Sequence, residues 1–293
     1  MEIVRKYKRF YKLTFMPGEH TPDFVYQKGA KAFKTRVPNP LSPDYGKETQ
    51  LPVPWDETFQ KYFFRTVGEF SKRYKGDPGL IAVTLTIANA EFSEWNLPKS
   101  KEDMAQWEKL DPLYRDKIKA TWTAAIDQFA QLFPNQQLCL AASSNPLGSD
   151  SNNLAEEILE YGMTKYPDRF TIQTNQLYGR AENTRNSAFT RILKYKDRVH
   201  NGFQNLAGFQ GSADRQGTPE MTIYNFVLGG ADYLEVWDED GQNVNTTQKL
   251  LDLITEARQL GPEKFKEKLV REGKFRTADE DHYQPNQPGG KKK

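Results

Sequence analysis

Cysteine is all but absent: Cys139 alone represents it in a chain of 293 residues. A single thiol excludes an internal disulfide and any cysteine-cluster metal site. Its place inside an apolar run makes Cys139 a small core residue. Histidine is scarce too. His20, His200 and His282 stand far apart, with none of the spacings a zinc site uses, and no metal or other cofactor is expected. No apolar run reaches the roughly 20 residues that cross a bilayer; the longest, such as Leu80 to Ala90, reach about half that and carry threonine. No membrane span is expected. The opening residues lack an apolar h-region, so the written sequence carries no signal peptide. Location stays undetermined, with a secreted or periplasmic protein open if upstream residues are missing. An excess of either charge is lacking, since 41 Lys and Arg against 39 Asp and Glu leave +2. That balance argues against a nucleic-acid partner. No Gly-x-Gly-x-x-Gly follows any expected strand and no phosphate-binding Gly-x-x-x-x-Gly-Lys occurs, so nucleotide folds lose their main support. Ser143 and Ser144 have no nucleophile elbow around them.

What is present is a core and many rings. Hydrophobic residues make up 37% and aromatics 13%, enough to fold one large domain or two ordinary ones. Short apolar runs alternate with longer amphipathic ones, the pattern of β/α units on a parallel sheet. Six strands are expected near Phe10 to Met16, Leu80 to Ala88, Gln137 to Ser143, Phe170 to Asn175, Phe203 to Phe209 and Asp232 to Trp237. Helical spacing falls between them. It runs over Thr58 to Tyr74 (with Asp56 as N-cap), Pro112 to Phe133, Asn153 to Tyr166, Ala181 to Tyr195 and Pro219 to Leu228. A C-terminal pair follows at Thr246 to Leu260 and Pro262 to Arg271. Five prolines between Lys34 and Trp55 mark residues 34–55 as a long irregular loop. Residues 277–293, ending in three lysines, read as a disordered basic tail. Units of about 35 to 45 residues suit a (β/α)₈ barrel. The expected fold is therefore α/β of the TIM-barrel type, a single domain over residues 1–276, N-terminally incomplete at about six units.

Strand parity picks out the unusual residues. On Val83 to Ile87 the odd positions are apolar and should meet helices, so Thr84 and Thr86 face inward. The chain then runs through Asn89, Glu91, Glu94 and Trp95, two carboxylates just past a strand's carboxyl end. Solvated loop acids are the other reading of that pair. Tyr233, Glu235 and Trp237 share the face opposite Leu234 and Val236. A carboxylate there is costly unless it is functional or paired to an Arg or Lys. Gln173 and Asn175 share one face of the Phe170 strand, and Gln204 opens another. Amides, carboxylates and rings at one barrel mouth suit a polyhydroxylated ligand, because amides exchange hydrogen bonds with hydroxyls while ring faces cover apolar sugar faces.

Three stretches carry a resemblance: Leu51 to Asp56 (LPVPWD), Phe92 to Pro98 (FSEWNLP), and Lys12 to Tyr26 (KLTFMPGEHTPDFVY). With the helix ending Arg73-Tyr74, the chain resembles clan A glycoside hydrolases, nearest the β-galactosidase-like (β/α)₈ enzymes. The resemblance implies cleavage of glycosidic bonds in an oligo- or polysaccharide. It makes the Leu80 strand the fourth, with Glu94 or Glu91 as acid/base, and leaves the first two strands missing. The family's strand-seven nucleophile has no counterpart in Phe203 to Gln210, so Glu235 is the nearest second carboxylate. On this reading Glu94 and Glu235 stand within about 10 Å of each other, and Glu91 replaces Glu94 if they do not. Asn89, Gln173, Asn175 and Gln204 hold hydroxyls, and Trp95, Tyr178 and Trp237 stack. His20 joins the ligand-binding candidates. The alternative of another class is a non-catalytic carbohydrate-binding barrel, or a fragment of a larger glycosidase.

An incomplete barrel exposes two parallel edges, which template association with other chains. The strands near Phe10 and Asp232 are the expected edges. Light scattering across a concentration series should therefore show this chain self-associating; a monomer with one sharp reversible melt would sink the idea.

Overall fold

The computed structural model describes residues 10–37, 44–89, 94–143, 145–148 and 152–282. Eight strands occur among them. β1 (Tyr11–Leu13), β4 (Leu80–Thr84), β5 (Gln137–Ala141), β6 (Phe170–Leu177), β7 (His200–Asn205) and β8 (Tyr233–Glu235) form one sheet, in the order β1-β4-β5-β6-β7-β8. The β1/β4, β4/β5 and β7/β8 pairs are parallel, and helices connect the strands. This is an α/β fold consistent with an incomplete (β/α)₈ barrel, and β1 and β8 are the ends of its strand order. Compactness divides the chain into two units, Met1–Thr171 and Ile172–Lys293.

In the first unit the expected helices form where the apolar spacing put them. α1 (Asp23–Gln27) is a short turn, and α2 (Glu57–Tyr74) starts at Asp56, whose carboxylate accepts the Phe59 N–H at 2.9 Å. α3 (Lys101–Leu110) precedes α4 (Tyr114–Leu132), which buries Ile118, Trp122, Ile126 and Phe129 along one stripe. α5 (Asn152–Lys165) follows β5.

Besides the short α1, which no helical spacing marked, a hairpin and a further helix depart from expectation. The proline-rich stretch holds an antiparallel hairpin, β2 (Ala32–Arg36) with β3 (Glu48–Pro52), in which Pro52 pairs opposite Ala32. A two-stranded ribbon is all edge, so a proline without an N–H is tolerated there. Pro38, Pro40 and Pro43 lie outside the described residues. α3 was not expected at all. Ser100 and Asp103 close a capping box at its start, Trp107 is wholly buried, and the Phe33 ring stacks on it at 3.6 Å. Thr35 Oγ1 donates to Asp103 at 2.9 Å, so hairpin and helix hold each other.

In the second unit α6 (Ser187–Tyr195) is capped by Asn186, which accepts the N–H groups of Ala188 and Phe189. α7 (Ala213–Gln216) is one turn, and α8 (Pro219–Leu228) begins with Thr218 as cap and proline at its start. α8 buries six consecutive residues, Met221 to Phe226, because it has packing partners on several sides. Phe226 meets Phe203 of β7, and Met221, Ile223 and Tyr224 join Leu250, Ala257, Phe265 and Leu269 in one cluster. Those last four belong to α10 (Val244–Arg271), which follows the short α9 (Asp238–Gln242). α10 kinks at Gly261 (φ 77°) just before Pro262, so it is the expected pair of helices set end to end. Residues 277–282, expected to belong to a disordered tail, instead carry a 3-10 turn at Ala278–Glu280 capped by Thr277. Residues 283–293 lie outside the described ones.

Two predictions come from this packing. Asp127 on α4 accepts hydrogen bonds from Tyr161 (2.7 Å), Lys165 (2.8 Å) and Tyr166 (2.8 Å). Burial works to raise its pKa, but these three donors outweigh it and hold the carboxyl below the usual range. A depressed carboxylate stabilises the fold above the unfolded pKa of about 4 and loses that contribution as pH falls through its folded value. Discounted for partial exposure, Asp127→Asn should cost about 1 kcal/mol at pH 7. In urea titrations the difference from wild type should shrink toward nothing near pH 2. In the second unit the Tyr233 ring crosses Gly202, where an added Cβ would stand 2.1 Å from ring carbon Cζ. Gly202→Ala should therefore cost about 1 to 3 kcal/mol. In a Tyr233→Ala background most of that penalty should vanish, measured as a double-mutant cycle of melting temperatures.

Candidate functional site

The residues of β6, β7 and β8 that share one face form a hydrogen-bonded polar cluster in the second unit. Parallel pairing sets Gly202 beside Tyr233 and Gln204 beside Glu235. Gly202 has no side chain, so the Tyr233 ring lies across it and its hydroxyl reaches β6, donating to Gln173 Oε1 at 2.5 Å. Gln173 Nε2 donates to Asn175 Oδ1 at 2.7 Å and to Glu235 Oε2 at 3.0 Å. An ionised carboxylate only accepts, so the Glu235 contact fixes which end of the Gln173 amide carries nitrogen. Gln173 itself is buried, while Asn175, Gln204, Tyr233 and Glu235 keep partial exposure. The Glu235 carboxylate is thus held by an amide rather than left to face an apolar wall, which lowers the cost of its burial. Trp237 closes the strand end. Its Nε1 donates to the Asn205 carbonyl at 2.9 Å, and the residue is 46% exposed. Asn205 is wholly buried, and neither polar atom of its side chain has a partner among the described residues.

The loops leaving β6 and β7 are held by buried amides. Asn225 of α8 donates to the carbonyls of Tyr178 (2.9 Å) and Ala181 (2.8 Å), and its own oxygen accepts the Asn183 N–H. Gln216 accepts the Ala207 N–H at 2.9 Å. A cavity of about 520 Å³ opens over these loops, with Tyr178, Arg180, Arg185, Arg215, Glu182 and Asp281 in its wall. Tyr178 was expected to stack on a ligand. Instead it is buried, its ring lies 4.0 Å beneath the Arg180 guanidinium, and burial, then Asp281, pushes its hydroxyl pKa up.

Other expected site residues sit in the first unit. Trp95 is 0% exposed and packs edge-on against Trp122, so it is a core side chain and not a stacking surface. Asn89 is buried, and its Oδ1 accepts the Ile87 N–H at 3.1 Å, holding the turn after β4 where Ala88 takes φ 42°. Thr84 bonds Thr14 at 2.8 Å rather than a ligand-facing group. Glu94 Oε2 accepts from Asn96 Nδ2 at 2.8 Å, and Glu91 lies outside the described residues. His20 is exposed beside Glu19 at 3.9 Å. Glu94 belongs to the first unit and Glu235 to the second, each with its own surroundings. Among the described residues no group of three or more His, Cys, Asp or Glu could hold a metal ion, and no helix is long and apolar enough to cross a membrane.

Comparison with known proteins finds little. No family model matches the chain, and no curated protein matches it. Among solved structures the chain is similar to a sugar phosphate isomerase/epimerase from Parabacteroides distasonis ATCC 8503, at 14% identity and a TM-score of 0.31, over 66% of this chain and 81% of that one. These findings overturn the resemblance to clan A glycoside hydrolases. No glycoside hydrolase model matches the chain, and the glycosidic cleavage and acid/base roles taken from that family are withdrawn with it. A likeness this slight carries no activity to the chain.

Proposed function

We propose that the chain binds a polyhydroxylated, sugar-like small molecule on the β6–β8 face. Gln204 and Glu235 would take its hydroxyls, with Gln173 and Asn175 behind them and Trp237 against an apolar ring face. The observation that carries this reading is the Gln173 amide, which joins Asn175, Tyr233 and Glu235 into one hydrogen-bonded array. Such an array presents oriented donors and acceptors without needing to reorganise, the condition for selecting hydroxyls over water. The partly exposed Trp237 indole, pinned through its N–H, leaves a ring face for the ligand. The fold is of a kind that collects side chains from neighbouring strands at one end of a sheet.

Tryptophan fluorescence tests it. Of the 5 tryptophans, Trp95, Trp107 and Trp122 are buried and Trp237 is exposed, so a ligand on this face should perturb chiefly Trp237. Titration with mono- and oligosaccharides should give a saturable change that Trp237→Phe removes. Gln204→Ala and Glu235→Gln should each weaken binding by about tenfold or more. Silence toward every glycan, with a clear response to nucleotides or metal ions, would end the carbohydrate reading.

A further inference from the structure

The loops after β6 and β7 are locked together by two glycines. The Gly179 N–H donates to the Gln216 carbonyl at 2.6 Å, and the Thr218 N–H donates to the Gly179 carbonyl at 2.9 Å. A Cβ on Gly179 would stand 2.1 Å from the Thr218 oxygen, and one on Gly217 would stand 2.1 Å from the Gly179 carbonyl carbon. Gly217 also takes φ +83°, which glycine adopts without penalty. Arg180 directly follows one of these glycines, and Arg215 stands two residues before the other. The backbone contact therefore fixes both arginines on one rigid floor. Arg185, at the end of the 3-10 turn Asn183–Arg185, supplies a third cation to the same 520 Å³ cavity, beside Gln176 and Asn186.

Arg180 is held on every side. Its Nε and Nη2 donate to the two oxygens of Asp281 at 2.9 and 3.1 Å, its Nη1 donates to the Arg215 carbonyl, and its plane covers Tyr178. The two charged side chains keep only 13% and 15% exposure. Two parallel bonds from a guanidinium to one carboxylate are the geometry by which arginine takes the carboxylate or phosphate of a ligand. Arg185 pairs with Asp279 in an exposed contact, while Arg215 has no acidic partner among the described residues. Glu182, the other acid in the wall, is engaged by Tyr224 and Lys266. The cavity thus holds three cations, and the acids that meet two of them come from one short segment, residues 277–282. That segment is tied to the loop floor by a backbone bond at its root, Glu182 N–H to the Arg276 carbonyl at 3.0 Å.

We propose that this cavity binds the oxyanion group, carboxylate or phosphate, of a small molecule, and that Asp281 occupies the site as an internal stand-in which such a ligand displaces. The ligand meets Arg180 where the Asp281 carboxylate now lies, and Arg215 supplies the cation that Asp281 leaves unused. Because the stand-in is tethered, it lowers the ligand's apparent affinity by the fraction of time the turn is seated. Removing its charge lifts that competition without altering the arginines.

Calorimetric titration of the full chain with inorganic phosphate and with malonate tests this. Wild type should bind weakly, and Asp281→Asn should bind about tenfold tighter or better. Adding Arg180→Gln or Arg215→Gln to Asp281→Asn should abolish the gain. Preference for phosphate assigns a phosphorylated ligand, and preference for malonate a carboxylated one. Equal affinity of wild type and Asp281→Asn overturns the proposal, as does binding that survives Arg180→Gln. Should Asp281→Asn fail to fold, amide exchange on wild type decides. Phosphate, compared with chloride at equal ionic strength, should speed exchange at Glu280 and Asp281, whose N–H groups close the turn, and leave Thr218 protected. Unchanged exchange at Glu280 and Asp281 overturns the proposal equally.

Discussion

The strand-end loops of the second unit depend on one carboxamide, that of Asn225. Irregular backbone that leaves a sheet carries carbonyls and N–H groups with no ladder to satisfy them, and burying them unpaired costs about 1 to 3 kcal/mol each. α8 runs beneath these loops and is apolar almost throughout, yet it presents Asn225 at the point where the carbonyls of Tyr178 and Ala181 turn inward. Both N–H groups and the oxygen of that amide are used. With the loop so fixed, Gly179 can meet Gly217 and Arg180 can stand over Tyr178. The cavity wall is in this sense built from a helix that contributes none of its lining.

The first unit is organised by rings instead of amides. Phe33 against Trp107, Trp95 against Trp122, and Phe15 with Phe63, Phe70 and Phe129 form contacts between elements far apart in sequence. Large rings bring much buried area for few rotatable bonds, so a three-residue strand such as β1 and a short hairpin can be held without long ladders. The same abundance of aromatics that suggested ligand stacking is here spent on packing.

Much of the fold was legible because apolar spacing is local. α8 lies over Pro219–Leu228 as read, β5 begins at Gln137 as read, and the cap at Asp56 is made. β7 starts at His200, three residues ahead of the apolar signal, because His200, Asn201 and Gly202 carry no hydrophobic marker. α3 has few apolar residues, and its capping box at Ser100 and Asp103 was the available cue. The hairpin was hidden by its prolines. At the site, period-two parity grouped Gln173 with Asn175 and Tyr233 with Glu235, since strand faces follow from sequence alone. Trp95 and Tyr178 were misplaced because exposure is tertiary: each lies past a strand end, and what covers it comes from elsewhere in the chain. The arginine cavity left no trace in the sequence, as Arg180 and Asp281 are separated by 101 positions.

The kink in α10 makes one long helix two cooperative units. Helical order spreads because each added residue closes a bond onto the turn before it, and proline at 262 withholds that bond while Gly261 leaves helical geometry. Fraying on one side of the break has no ladder along which to travel to the other. Leu250 and Ala257 hold the first segment to the cluster under α8, and Phe265 and Leu269 hold the second. Each segment is anchored by its own pair of buried side chains. The chain beyond Arg271, including the turn that carries Asp281, therefore follows a helix of ten residues that is joined to the segment nearer Val244 through side chains, among them the Lys268–Glu256 ion pair at 2.5 Å.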